Sequence, residues 1–399
     1  MKKLAALLIA ALMGVSLCGC DPARAANLPP QIIPSPTAEV IGAPEEEPAE
    51  SVPSPSPSPE PESVTIKVRV VGDVMLHEAQ QDSAKTEGGY DFSEYFARIN
   101  GELSCADFTI GNLETPVADK PASGYPRFNA PAELLDELKA AGFDAFTLAN
   151  NHVLDKGASG IDDTVDNLAE RGLLYFGVSK GNEGYSVAIV DVNGIRLALL
   201  GYTQGTNGIE DKGGQVRYLT EGNIKNDVAA ARAEGADFII AFPHWGAEYY
   251  QGIHASTVRW AQKLADAGVD LILGSHPHVL EPMDRITASD GREVVVVYSM
   301  GNFISNQQKD PNFTGVIIEA SITREADGTT ELDSIGWLPT FVYKHSGKAR
   351  YMYEVLCADS DPVEGMDSSA KRKLKRAAGY AAETFDNDFS VHLSPLGTE

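Results

Sequence analysis

The 399-residue chain is short of cysteine, of positive charge and of long apolar runs. Of its four cysteines, Cys18 and Cys20 fall within the first twenty residues. That leaves Cys105 and Cys357, far apart in sequence, as the pair that an exported protein could join. Lys and Arg number 32 against 57 Asp and Glu, a formal net charge of −25. This balance excludes nucleic acid as a partner, because its binding rests on cationic contacts to phosphate. An anionic substrate would need a local positive centre, which a bound metal ion can supply. The apolar run from Leu4 to Leu17 is too short to cross a bilayer as a helix.

What is present at the N-terminus has the form of an export signal: Lys2 and Lys3, then that apolar run. It ends in Leu17-Cys18-Gly19-Cys20, which resembles a bacterial lipobox with Cys20 as the acylated residue, although Cys18 stands where a small aliphatic or hydroxyl residue is more usual. The other reading is an ordinary secretory signal cut near Ala23-Arg24-Ala25-Ala26. On the lipobox reading residues 1–20 are the signal and the protein is extracytoplasmic, lipid-anchored to the cell membrane. Residues 21–63 are rich in Pro, Ser and Glu, with Ser54-Pro55-Ser56-Pro57-Ser58-Pro59 at their centre. Such a composition cannot bury enough apolar surface to fold, and predicts a disordered, extended linker.

Residues 64–305 carry the chemistry and read as one α/β domain, with 306–399 as a C-terminal extension packing on it. Strands are predicted at 64–71, 107–111, 143–149, 173–176, 238–242, 269–273 and 294–299. They alternate with helices at 92–103, 131–141, 161–171, 224–234 and 256–267. Asn193-Gly194 between apolar runs at 185–190 and 196–200 signals a hairpin. The alternation predicts stacked βαβ units, and the hairpin makes a mixed sheet, or two facing sheets, the expected form. Past Asn302 the pattern loosens to strands at 315–323 and 335–343 and a helix at 369–383.

Six polar signatures follow these strands: GDVMLH (Gly72–His77), GNLE (Gly111–Glu114), LANNH (Leu148–His152), PHWG (Pro243–Gly246), GSHPHV (Gly274–Val279) and YSMGN (Tyr298–Asn302). Strand ends are where open α/β sheets bind ligands. The donors offered are carboxylates, carboxamides and imidazoles, the usual ligands of a hydrolytic metal site. Asp73, Asn112, Glu114 and the pair Asn150-Asn151 sit directly at such ends. His276-Pro277-His278 places two imidazoles on one side of an extended segment, suited to gripping a metal. His152 has Asp155 close by as the carboxylate to orient it. His244 ends another strand, and Glu248 near it offers a base or a substrate contact. His77 shares the face of Asp73 if a helix begins there. Tyr298 to Asn302 has the form of a turn packing beneath the site. His254, His345 and His392 lack such a setting.

In this order, from about Thr65 to Ser305, the motifs GDVML, NLE, LANNH, HWG, GSHPHV and SMGNF resemble the CapA family, bacterial proteins linked to poly-γ-glutamate capsule synthesis. The resemblance implies a four-layer, metallophosphatase-like sandwich of two mostly mixed β-sheets flanked by helices. It implies that Asp73 and His278 hold one metal and His244, His276 and Asn151 a second, with Glu114 as the bridging carboxylate and His152 as the acid that assists the leaving group. Two positions depart from the phosphoesterase pattern: Met75 stands where a His is expected, and Asn112 and Glu114 stand where a Gly-Asp pair usually supplies the bridge. Fewer charged ligands predict one or two divalent ions (Mn, Zn or Fe) held more weakly, with His77 as a substitute ligand.

Two functions are consistent with these residues. One is a metal-dependent hydrolase acting outside the membrane on a phosphoester or an anionic polymer, with His152 and Asp155 in the catalytic group and Asn112, Asn150 and Glu248 facing substrate. The other is a non-catalytic assembly or export factor that binds polymer or polymer-synthase subunits. A solute-binding lipoprotein would share the anchor and linker but leaves His276 and His278 without a purpose.

Overall fold

The computed structural model describes residues 63–347 and 351–396. The signal segment, Cys20 and the linker lie outside the described residues. The chain runs β1 (Val64–Val74), α1 (Glu78–Ala84), α2 (Ser93–Phe96), α3 (Asn100–Ser104), β2 (Phe108–Leu113), α4 (Glu133–Ala140), β3 (Ala145–Thr147), α5 (Ala158–Glu170) and β4 (Leu174–Phe176). It continues through β5 (Ala188–Val192), β6 (Ile195–Thr203), α6 (Glu221–Ala233), β7 (Phe238–His244), α7 (Ala255–Ala267), β8 (Leu271–Leu273), β9 (Leu280–Thr287), β10 (Glu293–Met300) and β11 (Asn302–Ile304). It closes with β12 (Thr314–Arg324), β13 (Thr330–His345), β14 (Met352–Cys357), α8 (Ser368–Phe385) and β15 (Ser390–His392).

These strands form two mixed sheets. The larger has the order β14-β13-β12-β1-β2-β3-β4, with β11 beside β1 and β15 beside β13. The smaller has the order β5-β6-β7-β8-β10-β9. Side chains alternate faces along a strand, and here one row from most of the strands meets the other sheet. Ile66, Val68 and Val70 of β1, Phe108 and Ile110 of β2, Leu197 and Leu199 of β6, Phe238, Ile240 and Phe242 of β7 and Leu271 and Leu273 of β8 share one buried core. The opposite row of the smaller sheet, with Ile239 and Ala241, packs on Ile224 and Val228 of α6 and Leu264 of α7. The outer face of the larger sheet is covered by α1 to α5, through Leu134, Leu138, Ile161 and Leu168 among others. The result is a four-layer α/β/β/α sandwich, as expected.

Several local readings change. The predicted helix over 92–103 is broken into α2 and α3, because Ile99 N–H bonds Phe96 O three residues back rather than four. Its apolar row survives: Phe92, Tyr95, Phe96, Ile99 and Leu103 are all buried. Tyr298 to Asn302 is not a turn under the site but the passage between the sheets. Tyr298 to Met300 end β10, Gly301 turns with φ 66°, and Asn302 begins β11, opposite Asp73 of β1. The segment past residue 305 supplies β12 to β14 to the larger sheet, so the boundary there divides the motifs and not the core. Cys105 and Cys357 are not joined by a disulfide. Among the described residues no helix is long and apolar enough to cross a membrane.

Candidate metal centre

The alternation that builds the inter-sheet core also delivers the polar groups. His244 continues the row of Phe238, Ile240 and Phe242 by one step, and Asn112 continues that of Phe108 and Ile110. Each therefore emerges at a strand end in the gap between the sheets. β1 reaches the same place by a β-bulge, where its register against β2 shifts between Val70 and Asp73. Gly72 is required there: a Cβ on it would lie 2.0 Å from Gly301 O.

Asp73 Oδ1 accepts a hydrogen bond from Asn112 Nδ2 at 2.8 Å, and its Oδ2 lies 2.9 Å from His278 Nδ1. Asn112 Nδ2 also approaches Glu114 Oε2 at 3.3 Å. The other oxygen, Glu114 Oε1, has no hydrogen-bond partner among the described residues. It lies 3.5 Å from His244 Nε2 and 3.7 Å from His278 Nε2. Asn151 Oδ1 is 3.2 Å from His244 Nε2, and Ser275 Oγ is 3.0 Å from His244 Nδ1. The His276 ring centroid is 4.6 Å from that of His244, and its Nδ1 is buried without a partner among the described residues. Two triads result, Asp73–Glu114–His278 and Glu114–His244–His276, each with its donor atoms within 4.8 Å of one another and Glu114 common to both. His276 and His278 hold φ of 102° and 58°, a left-handed backbone that non-glycine residues adopt at a cost and that clusters at functional sites.

The electrostatics suit a cation. Burial opposes the charge on Asp73, yet the hydrogen bond and charge of His278, with the Asn112 amide, hold its carboxyl below the usual range. Burial raises Glu114 well above its ordinary value, helped by the charge of Asp73. Burial, and then neighbouring imidazoles, push His244 well down and His276 to about 4. Their rings are thus neutral at pH 7, with lone pairs free to coordinate. Fully buried Glu114 with an orphaned oxygen, and His276 with an orphaned nitrogen, are what a bound divalent ion would satisfy. The residues fit such an ion.

The remaining candidates have distinct places. His152 Nδ1 is 2.7 Å from Asp155 Oδ2, which also accepts from Phe128 N–H at 2.8 Å. Phe128 packs edge-on to the His152 ring at 4.7 Å. Asn112 and Asn150, expected to face substrate, are held within the site. Both are buried, Asn112 is engaged with the two carboxylates, and Asn150 Nδ2 donates to Asn112 Oδ1 and Leu113 O. They brace the site from within. Glu248 stands exposed at the rim, where its charge reaches Glu114 and His276. His77 belongs to neither triad: it is the N-cap of α1, its Nδ1 faces Asn306 N–H at 3.3 Å, and burial lowers it to about 4.

Gln204 and Asn207, which belong to none of the six sequence signatures, also reach the site. They line a cavity of about 230 Å³ beside the cluster, together with Asn151, Thr203, His244 and His276. Asn207 Nδ2 comes within 3.4 Å of His152 Nδ1. Their signal was the polar stretch that follows β6, one more strand end.

Fold and site together define a two-sheet α/β protein with a buried carboxylate–imidazole cluster that could hold a metal ion. Residues 67–307 match the family model described as bacterial capsule synthesis protein PGA_cap, and the chain belongs to that family. It is 27% identical over 306 residues to the PGA biosynthesis protein CapA of Bacillus subtilis (strain 168), covering 73% of this chain and 77% of that protein. It is 29% identical over 252 residues to the capsule biosynthesis protein CapA of Bacillus anthracis, where the match covers 60% of this chain and 59% of the relative. Among solved structures it is similar to the NAD nucleotidase of Haemophilus influenzae, at 13% identity and a TM-score of 0.46, covering 82% of this chain and 58% of that one. It is also similar to the calcineurin-like phosphoesterase YfkN of Bacillus subtilis, at 16% identity and a TM-score of 0.42, covering 80% and 98%.

Proposed function

We propose that the chain is an extracytoplasmic lipoprotein of capsular polymer biosynthesis, anchored through Cys20, whose metal centre hydrolyses an anionic substrate: a phosphoester, or the poly-γ-glutamate-type polymer itself. One observation carries the catalytic part. Glu114 Oε1 is buried without a partner and lies within 3.7 Å of imidazole nitrogens from both triads, so one carboxylate can serve two cation positions. A divalent ion held there by Asp73, Glu114, His244, His276 and His278 (Mn, Zn or Fe) would lower the pKa of water toward about 7 and shield developing negative charge.

The chain's own residues supply the rest. Asp155 Oδ2 accepts a hydrogen bond from His152 Nδ1–H, which leaves Nε2 as the ring atom for proton exchange with a leaving group. Phe128 limits rotation of that ring. Asn112, braced by Asn150, donates to both Asp73 and Glu114 and keeps the two carboxylates in register. The His152–Asp155 pair favours a hydrolase over a purely scaffolding role, because a polymer-binding surface has no use for an imidazole poised in this way.

The test loads the purified protein with Mn²⁺, Zn²⁺ or Fe²⁺ and measures hydrolysis of a generic phosphodiester and shortening of poly-γ-glutamate. Turnover on either substrate that is lost in His276→Ala is the expected result. No turnover at full metal loading, with surface polymer unchanged in cells carrying His152→Ala, would leave the non-catalytic assembly role in its place.

A further inference from the structure

The metal centre absorbs the strand-end motifs but gives no role to the dense basic run in α8. In a chain of net charge −25, the run Lys371-Arg372-Lys373-Leu374-Lys375-Arg376 puts five cations into six positions of α8. The helix buries Ala370, Leu374, Ala377, Ala381 and Phe385. That apolar stripe leaves Lys371, Arg372, Lys375 and Arg376 together on the exposed side, over two turns.

This arrangement runs against the helix's own preferences. Like charges face each other at i,i+4, Lys371 with Lys375 and Arg372 with Arg376, which opposes helix formation. The cations crowd the N-terminal half, whereas the helix dipole favours acids there and bases at the other end; α8 has no acid in its first turn and no base in its last. Asp367 caps the helix. Among the described residues, Arg376 alone of the four enters ion pairs, with Asp310 at 3.8 Å and Glu383 at 3.4 Å. A local conflict of this kind, only partly offset by the Asp367 cap and the Arg376 ion pairs, fits a surface kept for another purpose.

The patch also borders the site. Lys373 Nζ sits 5.2 Å from the centre of the Phe313 ring, and Arg376 reaches Asp310, so α8 lies against the loop 306–313. From the same loop Gln307 donates to Tyr249 Oη at 3.3 Å, and the Tyr249 ring is 5.7 Å from His278. One loop therefore has the basic face on one side and the mouth of the metal centre on the other.

We infer that the basic face of α8 is a second contact surface for a polymer of closely spaced carboxylates, holding one stretch beside the loop 306–313 while another reaches the metal centre. The inference rests on the reading of the substrate as polymer. Charge complementarity names the occupant, and the make-up of the face separates it from a lipid surface. A helix that lies on a membrane pairs its cations with exposed Trp, Phe or Leu, whereas Leu374 and Phe385 of α8 are both buried in the fold.

The experiment measures binding of fluorescein-labelled poly-γ-glutamate to the full chain and to the triple variant Lys371→Gln/Arg372→Gln/Lys375→Gln, across a salt series. Vesicles of phosphatidylglycerol serve as the comparison. The expected result is roughly tenfold weaker polymer binding in the variant with a shallower salt dependence, at a melting temperature that holds or rises as the like-charge pairs are removed and at unchanged metal content. A Lys371→Arg/Lys375→Arg variant should bind as the native chain does, since the charge is kept. Equal polymer binding by native chain and triple variant overturns this assignment and leaves the polymer reading standing. A native chain that does not bind polymer overturns both. Vesicle binding lost in the variant while polymer binding is unchanged overturns it in favour of the membrane.

Discussion

His278 and Asp73 lie 205 residues apart in sequence, yet the imidazole Nδ1 meets the carboxylate at 2.9 Å, deep between the two sheets. The contact fixes the ring so that its other nitrogen points toward Glu114, at 3.7 Å. Each sheet thus sends one group to the other, and Glu114 is the meeting point of both triads.

Removing the charge of that meeting point should separate metal binding from folding. Glu114→Gln takes the shared oxygen anion from both triads, so metal affinity should fall by at least about 100-fold. The metal-free protein should be no less stable, because a buried carboxyl already raised well above its ordinary value gives up little when replaced by a neutral amide. Metal content after dialysis and the melting temperature with and without Mn²⁺ check both halves. Native metal content in this variant would show that Glu114 is not the common ligand.

In the proposed hydrolase role Asp155 acts through His152, and its loss should leave the metal alone. Asp155→Asn weakens the hold on His152 Nδ1 and on Phe128 N–H. Turnover should drop by roughly 10²- to 10⁴-fold, the range for a misplaced general acid. His152→Ala should fall about as far, and the double variant little further, because residues acting as a unit are not additive. Single-variant and double-variant kcat values at saturating metal decide the matter.

The strand-end chemistry was readable because alternation with period two carries a buried row straight to its last residue, as Phe238, Ile240 and Phe242 lead to His244. Contributions that depend on distant partners were not. The bulge that aims Asp73 arises where β1 pairs with β2 and β11. β9 was passed over because Pro282 and three charged residues interrupt it, features tolerated at the sheet edge it occupies. β14 is a short strand at the sheet edge whose place is set by its pairing to β13. The polar stretch holding Gln204 and Asn207 was missed because β6 runs on to Thr203 rather than stopping at Leu200.

Glu281 should impose a pH dependence on stability. It is buried on β9, its Oε2 has no hydrogen-bond partner among the described residues, and burial pushes its carboxyl up to about 8. The folded state therefore holds this proton more tightly than the unfolded chain does. Its stabilisation is complete below the ordinary glutamate value and is lost as pH rises from there through about 8. Glu281→Gln should gain about 1–3 kcal/mol at pH 8.5 and little at pH 4. Urea midpoints across that range measure it, and a parallel shift at every pH would show that the carboxyl does not titrate in this way.

Gly72 tests whether the two sheets are locked together at the metal centre. A methyl group there would meet Gly301 O at 2.0 Å, Gly301 C at 3.0 Å and Met300 C at 3.1 Å, all of them backbone atoms that cannot swing aside. Gly72→Ala must push β1 away from the β10–β11 passage, straining the Asp73 N–H bond to Gly301 O, now 2.9 Å. A loss of about 2–4 kcal/mol is expected, together with reduced metal content, because Asp73 moves with the backbone. Gly222→Ala in α6 is the control: nothing lies within 4 Å of its Cβ position, and alanine is the better helix former, so stability should hold or rise by up to about 1 kcal/mol. Urea unfolding of both variants, with metal analysis of the first, distinguishes a lock at one position from a general intolerance of added bulk.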